Sequence, residues 1–342
     1  MNQINACCAE CGVAGGVSLK VCKSCMDAKY CNAECQKKHW ATHKADCKRR
    51  ASELRDEALF KDPPPKEECP ICFLPMPDKL IYCVSLPPAT IMSIPIYDFA
   101  IANKRLAGRG MEIYYSCCGK SICGGCVHSF RLSGNLGKCP HCKSELSAKT
   151  KDDVLKEVMN RVAANDPASM YRLAHSYEYG LEGFQQDRTK SMELYARAAD
   201  LGFKNAHYQL GGIYDGGGDL KKAKFHFEAA AMAGHEVARY NLGMLEAKSG
   251  DKERAVKHWT IAASAGCYRA MNALRNFFEI GSGFDMGSGV IPLYGSVSKD
   301  TMESTLEAYN NSCAGMRSEA RDAHINMWLH HLRNDEEEIS NG

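Results

Sequence analysis

The sequence contains no uninterrupted stretch of about 18 apolar residues, the length that a membrane-spanning helix requires. Its first residues, MNQINACC, are polar and lack the apolar core of a secretory signal. The formal net charge is only +2, so the chain as a whole gives no electrostatic case for binding nucleic acid or an acidic membrane. We therefore expect a protein of the cytoplasm or nucleus that is not secreted and has no transmembrane segment.

Motifs of enzyme active sites are also missing from the sequence. It has no glycine-rich phosphate loop, no nucleophile elbow and no pair of carboxylates at a meaningful spacing. These absences favour a protein that binds other proteins over an enzyme that carries its own catalytic residues.

Cysteine is the residue that the sequence has in excess. There are 19 cysteines, and 17 of them lie in residues 1–142, which leaves only Cys267 and Cys313 in the last 200 residues. A Cys-x-x-Cys spacing allows one tight turn to aim both sulfurs at an ion about 2.3 Å away. Because no export signal is visible, dense paired cysteines indicate zinc rather than disulfide or redox chemistry. Five pairs have this spacing: Cys8/Cys11, Cys22/Cys25, Cys69/Cys72, Cys123/Cys126 and Cys139/Cys142.

The length of 342 residues predicts two or three domains, and the sequence suggests where they divide. The first cysteine region ends near residue 47 and is followed by a charged, helix-like stretch and by Asp62-Pro63-Pro64-Pro65, a stiff polyproline break. The second cysteine region covers residues 69–142. Apolar residues at helical spacing predict a helix over residues 151–165, and Asp166-Pro167 predicts the start of another.

The first cysteine region resembles the MYND finger through the segments CAEC, CKSC and YCNAECQKKHWATHKADC, over residues 8–47. The resemblance implies two zinc ions with interleaved ligands and no open coordination position. MYND fingers dock short, often proline-containing peptides, so the resemblance also implies that this region binds other proteins. One implied ligand set is Cys8, Cys11, Cys31 and Cys35, and the other is Cys22, Cys25, His43 and Cys47.

Two residues in this region are alternative ligands. We prefer Cys8 over Cys7 because only Cys8 has the two-residue spacing to the next cysteine. We prefer His43 over His39 because of the family's pattern and the short gap to the following cysteine.

Other side chains of the first region have both a binding and a structural interpretation. We interpret Trp40 and Tyr30 as packing residues of a small module. The lysines and arginines of residues 37–50 alternate with acidic residues and lack base-stacking aromatics, which favours a solvated helix face over a nucleic-acid surface. Nucleic acid is therefore not expected as a partner.

The second cysteine region resembles a RING finger through the segments ECPIC (68–72), CCGKSICGGC (117–126) and CPHC (139–142). The resemblance implies one zinc site made by Cys69, Cys72, Cys123 and Cys126, and a second that includes Cys118, Cys139 and Cys142.

Two departures from the RING pattern make residues 69–145 a RING-like module with an insert. Lys120 occupies the position that the family fills with histidine, and a protonated lysine cannot bind zinc. The stretch between the first two segments is also long for the family and includes the apolar run IMSIPIYDFAIANKR. The second site therefore needs another ligand, for which we prefer Cys117 among the candidates Cys117, Cys83, His128 and His141.

RING fingers that promote ubiquitin transfer hold a conjugating enzyme and carry no nucleophile of their own. Their contact positions correspond to Ile71, Pro140 and Lys143 in this sequence. Each residue also has a plain structural interpretation, respectively packing, a turn and the surface. A RING-type ubiquitin ligase is thus the alternative to a non-catalytic adaptor.

Residues 166–281 repeat with a period of 32 residues, seen in AADLGFKNA (198–206), AAMAGHEVA (230–238) and AASAGCYRA (262–270). A small residue, an aromatic four positions later and an alanine three beyond lie on one helical face, as in Ser191/Tyr195/Ala198. Downstream, Tyr208/Leu210/Gly211 recurs as Tyr240/Leu242/Gly243. The pattern predicts helix hairpins with small residues where helices touch and an apolar core built by stacking.

These hairpins resemble Sel-one-like repeats, which are short relatives of the tetratricopeptide repeat and usually present a surface to other proteins. A final helix over 298–332, with Met302, Tyr309 and Met327 on one side, is predicted to cap the array. The sequence as a whole therefore predicts a multidomain fold, with two small interleaved zinc-binding modules followed by an all-α helix-hairpin solenoid. Four zinc ions are expected, two in 8–47 and two in 69–142.

Overall fold

The computed structural model describes residues 7–13, 18–76, 112–181, 183–279, 284–285, 290–291 and 297–324. The chain divides into two compact units, Met1–Asp62 and Pro63–Gly342. The boundary coincides with the predicted polyproline break. In the described part of the chain, no helix is both long and apolar enough to cross a membrane.

The first unit has a short hairpin, β1 (Lys20–Val21) paired with β2 (Lys29–Tyr30), and one long helix, α1 (Ala33–Leu59). Asn32 begins α1, because its side chain accepts a hydrogen bond from the Cys35 backbone N–H at 2.9 Å. The helix continues without interruption from the cysteine region through the charged stretch. The last two ligand candidates of the first region therefore lie on a rigid element.

The second unit begins with the second cysteine region, which we call the RING-like module after its sequence resemblance. In it, β3 (Glu112–Tyr115) pairs with β4 (Lys120–Cys123), and α2 (Gly124–Leu132) follows directly. Helix α3 (Lys151–Ala163) comes next and begins at a capping box between Thr150 and Asp153. The apolar run IMSIPIYDFAIANKR of the insert lies outside the described residues.

Seven helices form the repeat array. It starts at Asp166, whose side chain accepts the backbone N–H of Ala168, with Pro167 in the first turn, as predicted. The helices are α4 (Pro167–Tyr179), α5 (Arg188–Asp200), α6 (Lys204–Gly216), α7 (Leu220–Met232), α8 (Glu236–Lys248), α9 (Lys252–Ser264) and α10 (Tyr268–Glu279).

The 32-residue period also sets where the helices begin and end. Asp187, Asp219 and Asp251 cap α5, α7 and α9 through the backbone N–H three residues on. Two residues after each of these helices stands a glycine with φ between +81° and +93°, a backbone conformation that glycine adopts without strain; the three are Gly202, Gly234 and Gly266. These aspartate caps are a repeat signal that the sequence analysis did not use.

The aromatic residues that recur every 32 positions, which we call the aromatic stripe, lie in the core of the array, as the repeat pattern predicted. Tyr195, Phe227 and Trp259 are at most 2% exposed. A Cβ added to Gly211 would lie 2.6 Å from the Phe227 ring, and one added to Gly243 would overlap the Trp259 ring. Because glycine has no side chain at this recurring position, it leaves the space into which the aromatic side chain of the next helix packs.

The C-terminal part of the second unit differs from the sequence expectation. Helix α11 (Lys299–Gly315) places Met302, Tyr309 and Cys313 in the same core cluster as Trp259, against α9 and α10. The helix ends at Gly315, and a separate helical turn over residues 319–324 begins at Ser318, whose hydroxyl accepts the Arg321 backbone N–H. The single helix predicted over 298–332 is therefore interrupted, and Met327 lies outside the described residues.

The RING-like module is joined to the repeat array along one side by polar contacts. The Tyr114 hydroxyl lies 2.6 Å from the Ser169 hydroxyl and donates to Asp166 at 3.0 Å. The Ser116 hydroxyl donates to Glu157 of α3 at 2.8 Å, and Arg161 of the same helix donates to the Ser116 carbonyl. The module and the array consequently share one compact unit.

The residues at the end of the polyproline break and just after it also contact the repeat array. Lys66 Nζ lies 2.5 Å from a carboxylate oxygen of buried Glu236, at the start of α8. A Cβ on Gly234 would lie 3.2 Å from Pro64, and Glu67 pairs with Lys204 at the start of α6 at 3.6 Å. The residues that follow the break therefore run against the turns of the repeats.

Because a Cβ on Gly211 would meet the Phe227 ring and one on the adjacent Gly212 would meet nothing, alanine at these two positions should have opposite effects on the stability of the protein. Gly211→Ala should destabilise the protein by about 1 kcal/mol, because overpacking costs about 1–3 kcal/mol and better helix propensity returns at most about 1 kcal/mol. Gly212→Ala, with nothing within 4 Å of the new Cβ, should stabilise it by up to about 1 kcal/mol. Urea unfolding of both variants measures this, and equal stabilisation by the two would refute tight packing at Gly211.

Candidate metal centres

Four of the five Cys-x-x-Cys pairs form the same tight turn. The backbone N–H of the residue after each pair donates to the carbonyl of the first cysteine at 2.9 Å. That donor residue has a positive φ in every case, between 56° and 71°. Because only one of the four is a glycine, three turns hold a side chain in a conformation that is normally disfavoured. The donor residues are Gly12, Met26, Phe73 and Lys143.

Five of the other ligand candidates lie on helices or directly before one, whereas Cys117 and Cys118 lie in the turn between β3 and β4. Cys123 ends β4 and precedes α2, and Cys126 lies in the first turn of that helix. Cys35, His43 and Cys47 all belong to α1, and the last two lie one turn apart on the same face.

The structure brings the sixteen candidate ligands together as four separate groups of four. In each group the ligand atoms all lie within 4.8 Å of one another. We call them cluster 1 (Cys8, Cys11, Cys31, Cys35), cluster 2 (Cys22, Cys25, His43, Cys47), cluster 3 (Cys69, Cys72, Cys123, Cys126) and cluster 4 (Cys117, Cys118, Cys139, Cys142).

The distances within the clusters fit a tetrahedral zinc ion. Four sulfurs placed 2.3 Å from one ion lie about 3.8 Å apart, and replacing one by an imidazole nitrogen shortens that edge to about 3.6 Å. Seven sulfur pairs in the four clusters are separated by 3.4–3.8 Å, as in Cys22–Cys47 (3.7 Å) and Cys118–Cys139 (3.8 Å). Cys25 Sγ lies 3.4 Å from His43 Nε2.

The same distances exclude disulfides, in which the sulfurs are about 2.05 Å apart. No cysteine in the described part of the chain forms a disulfide. The donor set of thiolates and one imidazole is the one that structural zinc sites use, and each cluster supplies all four positions from the protein. The residues therefore fit zinc held in closed, structural sites.

Two alternative ligands of the first region lie outside the clusters. Cys7 is half-buried and is not part of cluster 1. The His39 ring stacks on His43 at 5.3 Å, and its Nδ1 lies 2.9 Å from the Tyr30 hydroxyl. His39 thus supports the position of His43 rather than replacing it.

Tyr30 and Trp40 differ in burial. Tyr30 is 2% exposed and packs among the ligand cysteines, as expected of a packing residue. Trp40 is 42% exposed, with its ring edge-on to His43 at 6.4 Å. Trp40 is therefore a packing residue only in part, because it contacts His43 while 42% of its surface remains exposed.

In the RING-like module, Cys117 completes the group with Cys118, Cys139 and Cys142. The other candidates for that position lie elsewhere: His141 is exposed, the His128 ring lies 5.9 Å from that of His324, and Cys83 is outside the described residues.

The three residues predicted to contact a conjugating enzyme have different environments. Ile71 is 38% exposed. Pro140 is buried, and its carbonyl accepts a hydrogen bond from Lys143 Nζ at 2.8 Å. The same ammonium lies 4.2 Å from the centre of the Phe130 ring.

The electrostatics of the thiols favour a bound cation. Backbone N–H groups of Cys11 and Cys31 donate to Cys8 and lower its pKa to about 6. In the same cluster a hydrogen bond with the Cys31 side chain, together with burial, raises the pKa of Cys35 to about 12. Four adjacent thiols therefore do not all ionise by themselves at neutral pH. A divalent cation allows all four thiols to ionise, because its charge stabilises the thiolates that coordinate it.

One residue close to cluster 3 was not anticipated from the sequence. Arg321 is 1% exposed, and its Nη2 lies 3.5 Å from Cys72 Sγ. Burial raises the pKa of the Cys123 thiol, and a hydrogen bond from Arg321 acts in the opposite direction. The contact joins residues 249 positions apart, so no local sequence signal could have revealed it.

Comparison with protein families identifies two kinds of module in the chain. Residues 8–47 match the MYND finger, which implies that this region binds zinc. Residues 167–203, 204–235 and 237–267 match the Sel1 repeat. The chain thus carries a MYND finger and three Sel1 repeats, as the sequence resemblances indicated.

Several solved structures are similar to parts of the chain. A Sel1 repeat protein from Oxalobacter formigenes is 24% identical and covers 37% of this chain and 99% of its own, with a TM-score of 0.33. A protective antigen of uropathogenic Escherichia coli displaying an SLR fold is 19% identical over 68% of this chain and 47% of its own (TM-score 0.36). An immunity protein from Pseudomonas aeruginosa is 15% identical over 56% of this chain and 82% of its own (TM-score 0.29). No curated protein sequence matches the chain.

The geometry of cluster 2 predicts different roles for two histidines one turn apart. His43→Ala should reduce the zinc content by one ion per chain relative to the unsubstituted protein, because Nε2 of His43 is one of the four ligand atoms of cluster 2 and its only nitrogen. The matched variant His39→Ala should keep the full zinc content, although it loses the stacking on His43 and the hydrogen bond to Tyr30, the latter worth about 1 kcal/mol of stability. Metal analysis of the purified proteins gives the zinc content, and loss of an ion from His39→Ala alone would reverse the assignment.

Proposed function

We propose that this protein is a zinc-binding adaptor, which docks partner proteins through its MYND finger and through the surface of its Sel1 repeats. Four zinc ions, two in residues 8–47 and two in residues 69–142, hold the cysteine-rich part in shape. The observation that carries the proposal is the combination of two protein-interaction modules in one chain with metal clusters that are all closed. A closed site gives a substrate no coordination position, so the metal's role is structural.

The exposed side chains of the MYND finger support a docking role. Apart from Tyr30 and Leu59, the buried hydrophobic residues described in its unit are ligand cysteines. Several larger apolar side chains consequently stay at the surface, including Val21 (38%), Met26 (61%) and Trp40 (42%). Exposed tryptophan is the residue type most enriched at binding hot spots and suits proline-containing peptides, which dock on aromatic surfaces.

The repeat array also keeps large apolar side chains exposed, although its aromatic stripe is fully buried. Tyr179, Leu201 and Phe225 are 51–58% exposed. They belong to α4, the turn after α5 and α7, and Phe278 of α10 is 42% exposed, so exposed apolar side chains occur from the first to the last helix of the array. This distribution is consistent with a partner that follows several repeats.

Trp40 provides the test of the peptide-docking part of the proposal. A panel of fluorescent proline-containing peptides would be titrated against the zinc-loaded full chain, and binding followed by fluorescence anisotropy. Trp40→Ala should weaken binding at least tenfold, about 1.4 kcal/mol, because it removes the exposed indole and no metal ligand.

Lys44→Ala is the matched control, since Lys44 is exposed on the same helix one turn further on. This variant should leave the peptide affinity unchanged. If no peptide binds the unsubstituted chain, or if Trp40→Ala binds as tightly as the unsubstituted protein, the peptide-docking role is wrong.

Ubiquitin transfer is the second candidate function, and the arrangement of clusters 3 and 4 supports it. The two clusters take their ligands from alternating parts of the chain, as the zinc sites of a RING finger do: 69/72, then 117/118, then 123/126, then 139/142. Ile71, between the first pair of ligands, keeps more than a third of its surface exposed.

A ligase would form ubiquitin chains on itself when supplied with activating enzyme, a panel of conjugating enzymes, ubiquitin and ATP. Ile71→Ala should abolish that activity without loss of zinc, because the substitution removes a contact for the conjugating enzyme and no ligand. Activity that persists in Ile71→Ala would contradict this contact surface. Absence of activity with every conjugating enzyme would leave the adaptor as the sole function proposed here.

A further inference from the structure

The strongest unassigned feature of the second unit is the buried guanidinium of Arg321. Arg321 lies near the C-terminal end of the second unit in sequence, and its side chain contacts cluster 3, whose first ligands lie near the N-terminal end. Nη1 donates to the carbonyl of Pro75 at 2.8 Å and to that of Met316 at 2.7 Å. Nη2 donates to the carbonyl of Leu74 at 3.3 Å and lies 3.5 Å from Cys72 Sγ. The same side chain therefore contacts a ligand, the turn that follows this ligand and the end of α11.

The charge of cluster 3 explains why a cation belongs there. Four thiolates around one Zn²⁺ carry a net charge of −2, and Cys69 and Cys123 are fully buried. A buried charge is costly unless it is paired and hydrogen-bonded. Arg321 supplies a positive charge and an N–H donor, and its two Nη groups also donate to three carbonyls.

The segment that carries Arg321 is also packed tightly on the module. A Cβ added to Gly125, which lies between the ligands Cys123 and Cys126, would be 2.7 Å from the Arg321 backbone nitrogen and 2.9 Å from the Ala320 carbonyl carbon. One turn further along both segments, His324 is 4% exposed and its ring lies 5.9 Å from that of His128. Residues 316–324, which we call the C-terminal clasp, thus lie directly on the first turn of α2.

We propose that Arg321 is a positioning residue for the metal of cluster 3, and that this metal in turn holds the C-terminal clasp in place. The inference rests on occupancy of cluster 3 by zinc, but not on adaptor or ligase activity. Linkage makes the effect reciprocal: if the docked clasp strengthens metal binding, bound metal strengthens docking of the clasp by the same factor. The clasp then connects the metal content of the RING-like module to the end of the repeat array.

The first test measures release of zinc from the full chain to a chromogenic chelator. In Arg321→Met, which removes the charge and the donors but keeps the length of the side chain, one ion per chain should be released at least tenfold faster than in the unsubstituted protein. Arg321→Lys keeps the charge and loses the forked geometry, so its release should be intermediate.

The matched control is Arg317→Met. Arg317 lies in the same clasp but is 45% exposed and pairs with Asp322. Its release rates should equal those of the unsubstituted protein. Unchanged release in Arg321→Met, or an equal acceleration in Arg317→Met, would overturn the proposal.

The reciprocal direction is tested by hydrogen exchange of the clasp. Cys126→Ser, which removes a ligand of cluster 3, should speed exchange in residues 319–324 while α7–α9 remain protected. Gly125→Ala should do the same with all four ligands intact, because the new Cβ displaces the clasp. If exchange in 319–324 stays slow in Cys126→Ser, the clasp is held independently of the metal and the proposal fails.

These results separate the clasp from the proposed functions. A chain that binds no peptide and transfers no ubiquitin would still show accelerated zinc release in Arg321→Met. A cluster 3 that contains no zinc in the unsubstituted protein would overturn the clasp and leave the peptide-docking test of the MYND finger unaffected.

Discussion

Coordination of zinc by cysteine sulfur is the interaction on which the MYND finger of this protein depends. The core of the MYND finger consists of Tyr30 and the ligand cysteines themselves, with little other apolar surface to bury. A module of about 40 residues cannot offset its loss of conformational entropy with so small a core. Structural zinc contributes on the order of 10–16 kcal/mol per site in small fingers, which is enough to make folding and metal binding one event. The disfavoured backbone at Met26 is tolerated because coordination fixes both flanking segments.

The repeat array is stabilised in a different way, by the fit between residue sizes on adjacent helices. Each hairpin brings a large aromatic ring against a helix whose facing residue is small, as Phe227 packs on Gly211 and Trp259 on Gly243. The Trp259 indole also donates to the carbonyl of Tyr240 at 3.2 Å, so its polar atom is satisfied inside the core. Gly211 and Phe227 lie in the same repeat, 204–235, so this contact joins the two helices of one hairpin. The last hairpin of the array still leaves an apolar face that needs a cover. Helix α11 supplies that cover, with Tyr309 and Cys313 in the final core cluster.

The sequence was sufficient for what depends on local spacing. Cys-x-x-Cys pairs, the 32-residue period and the cap at Asp166 each depend on a few neighbouring residues, and the structure agrees with the overall fold that they predicted. Contacts between distant parts of the chain were beyond the same reasoning. Nothing near Arg321 in sequence indicates a zinc cluster, and nothing in the proline segment indicates that Lys66 pairs with Glu236. The end of α11 had a local signal, Gly315 followed by a serine cap, which the apolar periodicity concealed.

Long-range contacts of this kind decide how the RING-like module behaves as part of the protein. A zinc module on a flexible linker moves independently of its neighbours, and a change in its structure does not affect theirs. Here the module is bound to the array through Tyr114 on one side, through Lys66 at the start of the segment that leads into it, and through Arg321 at the far end of the array. Each contact pairs a buried or half-buried polar group with a defined partner, and such pairs lose their stabilisation when either side moves. If zinc occupies clusters 3 and 4 as proposed, metal coordination in the module and helix packing in the array stabilise one shared arrangement, and a perturbation of one is transmitted to the other.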